Sequence, residues 1–248
     1  MRRLITRFSL LAVCTVAALL GAASSVSASP SHAVAPHHPI HRITHASSLN
    51  WAGYDDVGGT YTSVSASWIQ PAVTCSGGKS SYSSFWVGLD GDGSNSVEQT
   101  GTEADCSHGR AFYSSWYEFY PAYPVNYSNA VSPGDSFSAS VTYTGGTGYR
   151  LILTDNTKGW SHTTTGSAPG ALNASAEVIA EAPSSNRGVL PLANFGSMTF
   201  SNAKANGSNL GSVPTTQPLT MVTTSGTVKC SVSGLGGGTT FTATWHHA

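Results

Sequence analysis

Charged residues are scarce in this sequence. They make up 9% of the 248 residues, against roughly 25% in an average soluble domain. Beyond residue 47 there are 7 Lys and Arg and 12 Asp and Glu, and 7 − 12 gives this part a net charge of −5. Such a surface offers no basic patch for nucleic acid or for an anionic membrane. It also has few carboxylates whose protonation could unfold the protein, which suits acidic surroundings.

Long apolar runs are also scarce, and the one near the N-terminus is short. The segment FSLLAVCTVAALLGAA follows Arg2, Arg3 and Arg7, but it is shorter than the ~20 apolar residues that a membrane-spanning helix needs. Basic residues, a short apolar stretch and small residues up to Ala28 are typical of a secretory signal peptide. We therefore predict that residues 1–28 are removed and that the protein is secreted and extracellular. An uncleaved membrane anchor is the less favoured alternative.

The segment that follows has little that could pack into a core. Residues 29–47 contain proline, serine and five histidines. We interpret them as a linker or a pro-segment. Residues 48–248 are ample for one domain, and an all-β domain of this size is ordinary.

Cysteine is rare as well, with 4 in the sequence, and Cys14 lies in the predicted signal peptide. Cys75, Cys106 and Cys230 remain, which is an odd number for a secreted protein. We predict a disulfide between Cys75 and Cys106, whose loop would contribute about 3–4 kcal/mol to stability on the chain-entropy model. Cys230 is then a buried free thiol, unless it is itself the partner of one of the other two.

No stretch repeats apolar residues with the 3.6-residue period of an amphipathic helix. Apolar residues alternate with polar ones instead, as in SVSASWIQ, SFSASVTYT and TTFTATW, and Gly- and Asn-rich turns separate these runs. Many short, half-buried strands joined by turns indicate an antiparallel β-sandwich or barrel. The alternation assigns three sets of residues to faces away from the core: Trp86 with Asp90, Trp116 with Glu118, and Glu177 with Ile179 and Glu181. Polar and aromatic side chains on such faces could line a cleft.

Several catalytic and metal-binding motifs are missing. The sequence has no G-x-S-x-G nucleophile elbow and no H-E-x-x-H zinc motif. The segment DGDGSNSVE resembles a calcium loop, but Asn95 stands where an EF-hand needs glycine and Gly101 where it needs glutamate. An aspartic peptidase needs two Asp residues that share a proton, whereas residues 99–101 read QTG and no second copy of this motif occurs. We therefore expect no metal and none of these reaction classes.

Carboxylates and a glutamine remain as candidates for chemistry. Glu118 and Glu177 lie on different predicted strands, and aromatic residues surround Glu118. Two such carboxylates could form the pair of a β-sandwich glycoside hydrolase, because aromatic platforms suit sugar rings. A non-catalytic carbohydrate-binding module is a further alternative. Both alternatives stay open on these residues alone.

Six motifs occur in a set order from about Leu49 to the C-terminus: NWAGY, VSASWIQP, FWVGLDG, VEQTG, WYEFYP and AEVIAEAP. In that order and rough spacing they resemble the glutamic peptidases, the eqolisins of peptidase family G1. The resemblance implies an all-β, two-sheet antiparallel sandwich of the concanavalin A-like or jelly-roll type. It also implies an acid endopeptidase that acts on polypeptide substrates without a cofactor. We expect a monomer, with its own pro-segment as a further partner.

The resemblance also implies which residues act. The glutamine of QTG maps onto Gln99 and the first glutamate of AEVIAE onto Glu177, which together form the catalytic dyad of the family. The residues expected to support the site or to bind substrate are Trp86, Asp90, Glu118, Trp116 and Tyr117. Glu98, directly before Gln99, departs from the family pattern, although strand alternation should point it away from Gln99.

The roles implied for the dyad agree with the chemistry of the two side chains. A neutral amide cannot act as a base, but its NH₂ group can donate a hydrogen bond to a developing oxyanion. Glu177 would take a proton from water and later return it to the leaving amine. A lone carboxylate near its ordinary pKa of about 4.3 is poised as a base only in acid, which predicts an acid peptidase. Glu181 lies on the same predicted face, and the motif alignment favours Glu177 over it.

Overall fold

Residues 46–248, the part of the chain that the structure describes, fold almost entirely into β-strands in this computed structural model. The predicted signal peptide and residues 29–45 of the predicted pro-segment lie outside the described residues. The strands are β1 (Ser47–Ser48), β2 (Trp51–Val57), β3 (Ser63–Ile69), β4 (Ser84–Leu89), β5 (Val97–Ser107), β6 (Arg110–Tyr120), β7 (Val125–Asn126), β8 (Ser136–Gly145), β9 (Gly148–Asp155), β10 (Trp160–Ser167), β11 (Ser175–Glu181), β12 (Ser184–Ser185), β13 (Gly188–Val189), β14 (Ser197–Ala205), β15 (Ser208–Asn209), β16 (Thr216–Val222), β17 (Val228–Val232) and β18 (Phe241–Trp245). A 3-10 turn spans Leu210–Ser212. Within the described range, no helix is long and apolar enough to cross a membrane.

Two antiparallel sheets share strand β16. Sheet 1 has the order β10-β9-β8-β3-β14-β18-β17-β16, and sheet 2 has the order β16-β2-β11-β4-β5-β6-β7. Neighbours along both sheets pair antiparallel, and β1 adds a parallel pair to β16. The all-β antiparallel architecture predicted from the sequence is confirmed.

The main core lies between the two sheets. Alternate residues of β3 and β8, including Trp68 and Phe137, are buried there as the sequence pattern predicts. The indole N–H of Trp68 in sheet 1 donates to Thr102 Oγ1 in sheet 2 at 2.9 Å. Because a buried indole N–H needs an acceptor, this contact also fixes one sheet against the other.

The central strands of sheet 2 are buried on both of their faces. Every residue of β4 and β11 is buried, and so is every residue of β2 except the last. The face that points away from sheet 1, called the site face below, carries a second apolar cluster: Trp51, Trp86, Val97, Trp116, Ile179 and Leu219. The sequence correctly predicts aromatic and polar side chains on this face. The members of this cluster are themselves almost fully buried.

The cysteines behave as the sequence predicts. Cys75 and Cys106 form a disulfide across a sequence separation of 31 residues. Cys230 is a buried free cysteine, and burial raises the pKa of its thiol to about 12. A thiol held neutral in this way is a poor nucleophile and a poor metal ligand, so we assign it to packing.

Candidate active site

One row of side chains crosses the site face of sheet 2. Glu177 on β11 pairs in register with Asp55 on β2 and with Gly88 on β4. Gly88 pairs with Gln99 on β5, and Gln99 pairs with Glu118 on β6. Residues directly opposite each other in neighbouring strands project from the same face of a sheet. The row therefore reads, across the sheet, Gln217, Asp55, Glu177, Gly88, Gln99 and Glu118.

Gly88 forms the floor between the two residues of the expected dyad. A Cβ atom at this position would lie 2.8 Å from the ring of Trp86 and 3.2 Å from Cβ of Gln99. Only a residue without a side chain fits there, because real Cβ atoms do not approach other atoms within 3.0 Å. The row thus lacks a side chain at Gly88, between Gln99 and Glu177, and the ring of Trp86 packs over this position, which is called the slot below.

The amide of Gln99 is held from the side opposite the slot. Its Nε2 donates to Glu118 Oε2 at 2.6 Å, and both side chains are almost fully buried. Hydrogen bonds to a carboxylate are about twice as strong as neutral ones, so Glu118 fixes the orientation of the amide. An NH₂ group has two hydrogens, and one of them remains for a further acceptor.

Glu177 is completely buried, with different surroundings for its two oxygens. Oε1 accepts the backbone N–H of Asp92 at 3.3 Å, and the same N–H donates to the hydroxyl of Ser175 at 2.8 Å. Oε2 is buried and makes no hydrogen bond within the described residues. Burial raises the pKa of Glu177 well above its ordinary value, and the charges of Asp55 and Asp90 add to the rise, while the bonds from Ser175 and Asp92 oppose it. The expectation of a pKa near 4.3 is therefore wrong for this buried carboxyl.

A second buried acid, Asp55, stands directly beside Glu177. Gln217 Nε2 donates to its Oδ2 at 3.3 Å, whereas Oδ1 is buried and makes no hydrogen bond among residues 46–248. Burial, followed by the charge of Asp92, raises the pKa of Asp55 to about 7, although the bond from Gln217 lowers it. Asp55 therefore keeps its proton to a higher pH than an ordinary aspartate.

Glu181 lies on the same face as Glu177 but has a different set of partners. Its Oε2 accepts the indole N–H of Trp86 at 2.7 Å, and its Oε1 accepts the amide of Asn50 at 3.1 Å. Both oxygens are therefore engaged by donors that hold buried side chains together. This arrangement supports the choice of Glu177 over Glu181 and gives Trp86 a structural partner rather than an open face.

Asp90 does not share the site face with Trp86 as strand alternation predicts. The strand ends at Leu89, and Asp90 has the left-handed φ of 70°. Its Oδ1 accepts the backbone N–H groups of Leu172 and Ala174, and its Oδ2 accepts the hydroxyl of Tyr149 from the core. The alternation fails because the backbone turns at Asp90, which directs its side chain toward Tyr149 and the core. Its hydrogen bonds to Leu172 and Ala174 anchor the neighbouring loop.

Glu98 points into the core side of sheet 2, as its alternation with Gln99 predicts. It is fully buried, and burial together with the charge of Asp90 raises its pKa to about 8. Its charge therefore does not act beside Gln99 in acid, because the carboxyl is neutral there.

Trp116 and Tyr117 lie on opposite faces of β6. Trp116 belongs to the apolar cluster of the site face and is fully buried. Tyr117 packs instead against the main core, beside Phe119 and Tyr127. The expectation that Tyr117 flanks the substrate is corrected, because adjacent residues of a strand point to opposite faces.

The sheet order also bears on the alternative in which Glu118 and Glu177 form the carboxylate pair of a glycoside hydrolase. Glu118 and Glu177 lie three strands apart, with β4 and β5 between β11 and β6. At ~4.8 Å per strand their backbones are about 14 Å apart, so the carboxyl groups would reach the roughly 5–9.5 Å of a glycosidase pair only by leaning toward each other across Gln99. Glu118 in addition bonds to Gln99, which lies between them. The row therefore favours a Gln–Glu pair over a pair of glutamates.

Asp55 and Asp92 are the residues of this site that the sequence does not single out. Asp55 lies in NWAGYDDV, where alternation places it on the face opposite Tyr54. Alternation therefore predicts the face on which Asp55 lies, but only the pairing of β2 with β11 brings Asp55 beside Glu177. A sequence does not reveal which strands are neighbours, so the pair emerges only from the fold.

Comparison with known proteins agrees with this geometry. Residues 49–245 match the model of the Peptidase A4 family. The chain is similar to aspergillopepsin-2 of Aspergillus niger, with 34% identity over 189 residues, which cover 66% of this chain and 67% of that protein. It is also similar to scytalidopepsin B of Scytalidium lignicola, with 37% identity over 112 residues, which cover 44% of this chain and 41% of the relative.

A solved structure resembles the fold as a whole. The crystal structure of scytalido-glutamic peptidase with a transition state analog inhibitor superposes with a TM-score of 0.68 and 28% sequence identity, over 80% of this chain and 98% of that one. The family model spans most of the described residues, and the structural match spans nearly all of a glutamic peptidase. The chain therefore belongs to the Peptidase A4 family, the glutamic peptidases also known as eqolisins.

Proposed function

We propose that this acid endopeptidase hydrolyses peptide bonds with Glu177 as the base and Gln99 as the oxyanion donor. The observation that carries the proposal is the row in which the two side chains flank Gly88. Their strands are two steps apart, which separates the backbones by about 10 Å. Side chains at this spacing could act on opposite sides of one peptide group held between them.

In the first step, ionised Glu177 removes a proton from water, and the hydroxide attacks the carbonyl carbon of the peptide. Oε2 is the oxygen available for this transfer, because Oε1 is already held by the N–H of Asp92. The carbonyl oxygen becomes negative as the C–O bond to the hydroxide forms. The second N–H of Gln99 donates to it, and a fixed donor of this kind costs no reorganisation during the reaction.

In the second step, the tetrahedral intermediate collapses. The carbonyl reforms, the C–N bond breaks, and protonated Glu177 gives its proton to the leaving nitrogen. Glu177 ends as a carboxylate and the products are a carboxylic acid and an amine. One carboxyl thus serves first as base and then as acid, and Gln99 stays neutral throughout.

The raised pKa of Glu177 has two opposite effects on this chemistry. It makes the carboxylate a stronger base, and it lowers the ionised fraction in acid. Because burial is the main cause of the rise, entry of water into the slot would reduce it.

The test is the activity of two variants on denatured casein at about pH 4, near the ordinary pKa of glutamate. Glu177→Gln keeps the size of the side chain but removes the base, so no activity should remain at any pH. Gln99→Ala should lower kcat by roughly 100- to 1000-fold, as loss of one oxyanion donor does elsewhere. Glu103→Gln is the matched control, because Glu103 lies on β5 outside the row and accepts from Ser114. A folded Glu177→Gln protein that still cleaves casein would overturn the proposal.

We also propose that the protein is secreted with residues 1–28 as its signal peptide and residues 29–47 as a pro-segment. The support is the sequence pattern, with three arginines before a short apolar run and five histidines after it. N-terminal sequencing of the active protein from a culture medium tests both boundaries. A mature N-terminus upstream of Ala28 would contradict them.

A further inference from the structure

A cavity of about 690 Å³ lies at the end of sheet 2 where β2 begins and β16 ends. This volume falls within the roughly 300–1,000 Å³ that small-ligand sites in proteins occupy. Apolar residues form much of its wall: Leu49, Val189, Leu190, Pro191 and Val222. The cavity is separate from the row, because in the part of the chain that the structure describes no residue of the row lines it.

A lysine that also lines this cavity comes from an irregular point in sheet 1. Met221 on β16 pairs with Cys230 on β17, and Val222 pairs with Val228, so Lys229 has no partner on β16. A register shift of this kind leaves one residue unpaired and re-aims its side chain. Lys229 is only 6% exposed, and no other lysine or arginine of the described residues is buried.

The buried amine of Lys229 has no counter-ion. It forms neither an ion pair nor a side-chain hydrogen bond with any residue from 46 to 248, and the described lining contains no Asp or Glu. Ala248 also lines the cavity but does not pair with this lysine. A cation removed from water costs free energy unless it is paired. Burial accordingly lowers the pKa of Lys229, although the neighbouring Cys230 opposes the shift.

A second cation, Lys79, lines the same cavity from an exposed loop. The loop is held at both ends by Cys106, through the disulfide to Cys75 and through the N–H of Ser81, which donates to the Cys106 carbonyl at 3.0 Å. Lys79 therefore belongs to a segment with a fixed position. Two lysines and an aliphatic wall match a ligand that carries one anionic group and one apolar group.

We propose that this cavity binds the C-terminal residue of a peptide, with its carboxylate paired to Lys229 and an aliphatic side chain packed against Leu190 and Val222. An endopeptidase produces a new peptide C-terminus with each bond that it hydrolyses, so the reaction itself supplies such a ligand. The α-carboxyl has a pKa of about 3.3–3.7, and it is therefore charged in mild acid, where lysine is also charged. The inference does not depend on the roles proposed for Glu177 and Gln99.

Calorimetric titration with two probes tests this assignment at about pH 5, where a peptide carboxyl is ionised. The probes are acetyl-Ala-Leu and its C-terminal amide, which differ only in the carboxylate. We expect the acid to bind the wild type at least about tenfold more tightly than the amide, as for hydrogen bonds to charged groups. In Lys229→Met, which keeps an apolar stem, the affinity for the acid should fall to that for the amide.

Two further lysines calibrate the result. Lys79→Met should weaken binding of the acid by at most about fivefold, because exposed ion pairs contribute little. Lys204→Met is the matched control, because Lys204 is an exposed lysine on β14 outside this cavity, and it should bind both probes as the wild type does. Lys229→Met should fold, since it replaces a buried, unpaired cation with an apolar residue.

The comparison of the two probes on the wild type needs no variant. Equal binding of the acid and the amide would overturn the inference, and so would a folded Lys229→Met protein that keeps the preference of the wild type for the acid. Inorganic phosphate is titrated in parallel. Binding of phosphate without any binding of acetyl-Ala-Leu would show a site for inorganic anions and would refute a peptide site.

Discussion

The side-chain nitrogen of Gln99 lies 2.6 Å from Oε2 of Glu118, its direct partner on the neighbouring strand. The contact joins two buried side chains on a rigid pair of strands, so the amide of Gln99 has a set orientation before substrate arrives. Preorganised donors are effective because they need no rearrangement as charge develops. We therefore propose that Glu118 is a positioning residue, whose effect on catalysis would pass through Gln99.

Replacement of Glu118 should lower kcat more than it changes KM. In Glu118→Ala the amide of Gln99 loses its acceptor, and we expect kcat to fall by about 10- to 100-fold, as for a donor displaced by about 1 Å. Glu118→Gln retains a carbonyl acceptor and should recover most of the activity. The measurement is steady-state kinetics on a peptide substrate. Equal losses in the two variants would show that Glu118 does not act by orienting the amide.

Sequence and structure agree where a residue belongs to a regular strand. Alternation correctly placed Trp68 and Phe137 in the core and Glu177 on the other face, because a strand's side chains obey a period of two. It failed at Asp90, where the chain leaves the strand with φ 70°. It also could not reveal that Asp55 stands beside Glu177, because that contact depends on the pairing of strands 122 residues apart, 177 − 55, in the chain. The motif resemblance indicates the proposed Gln99–Glu177 pair, and the fold adds the neighbours of both residues.

A side chain at Gly88 should close the slot between Gln99 and Glu177. The added Cβ in Gly88→Ala would lie 2.8 Å from the Trp86 ring and 3.2 Å from Cβ of Gln99, so these groups must shift. We expect kcat to fall by at least about tenfold, since displacement of a reacting group by about 1 Å can cost more than that. Gly234→Ala is the control, because a Cβ there meets nothing within 4 Å. A folded Gly88→Ala enzyme with the kcat of the wild type would contradict the slot.

Replacement of the Glu181 carboxyl should lower the stability of the fold, with little effect on peptide hydrolysis. In Glu181→Gln one oxygen that accepts from Trp86 or Asn50 becomes an NH₂ group facing a donor. We expect the free energy of unfolding to fall by about 1–3 kcal/mol, the cost of a buried polar group without a partner. Urea titrations of this variant, of Trp86→Phe and of the double variant form a mutant cycle. Additive losses would show that the Trp86–Glu181 hydrogen bond contributes nothing.

The stability of the protein should be greatest in acid and should fall toward neutral pH. Burial is the main cause that raises the pKa of Asp55 to about 7, of Asp56 to about 6 and of Glu98 to about 8. In the unfolded chain the same groups lose their protons near pH ~4. Between these values the native state binds more protons than the unfolded state, so the free energy of unfolding decreases as the pH rises.

Thermal unfolding followed from about pH 4 to about pH 8 tests this sign, and the Tm should decline across that range. Glu98→Gln cannot ionise, so it should flatten the decline from about pH 4.3, where the unfolded chain loses this proton, up to about pH 8, where the native state loses it. Glu103→Gln, on the same strand but facing the other way and bonded to Ser114, is the control for the loss of a carboxyl as such. A Tm that rises from acid to neutral pH would show that these buried carboxyls are ionised in the native state. The acid environment that suits the weakly charged surface is thus also the one in which the buried acids are neutral.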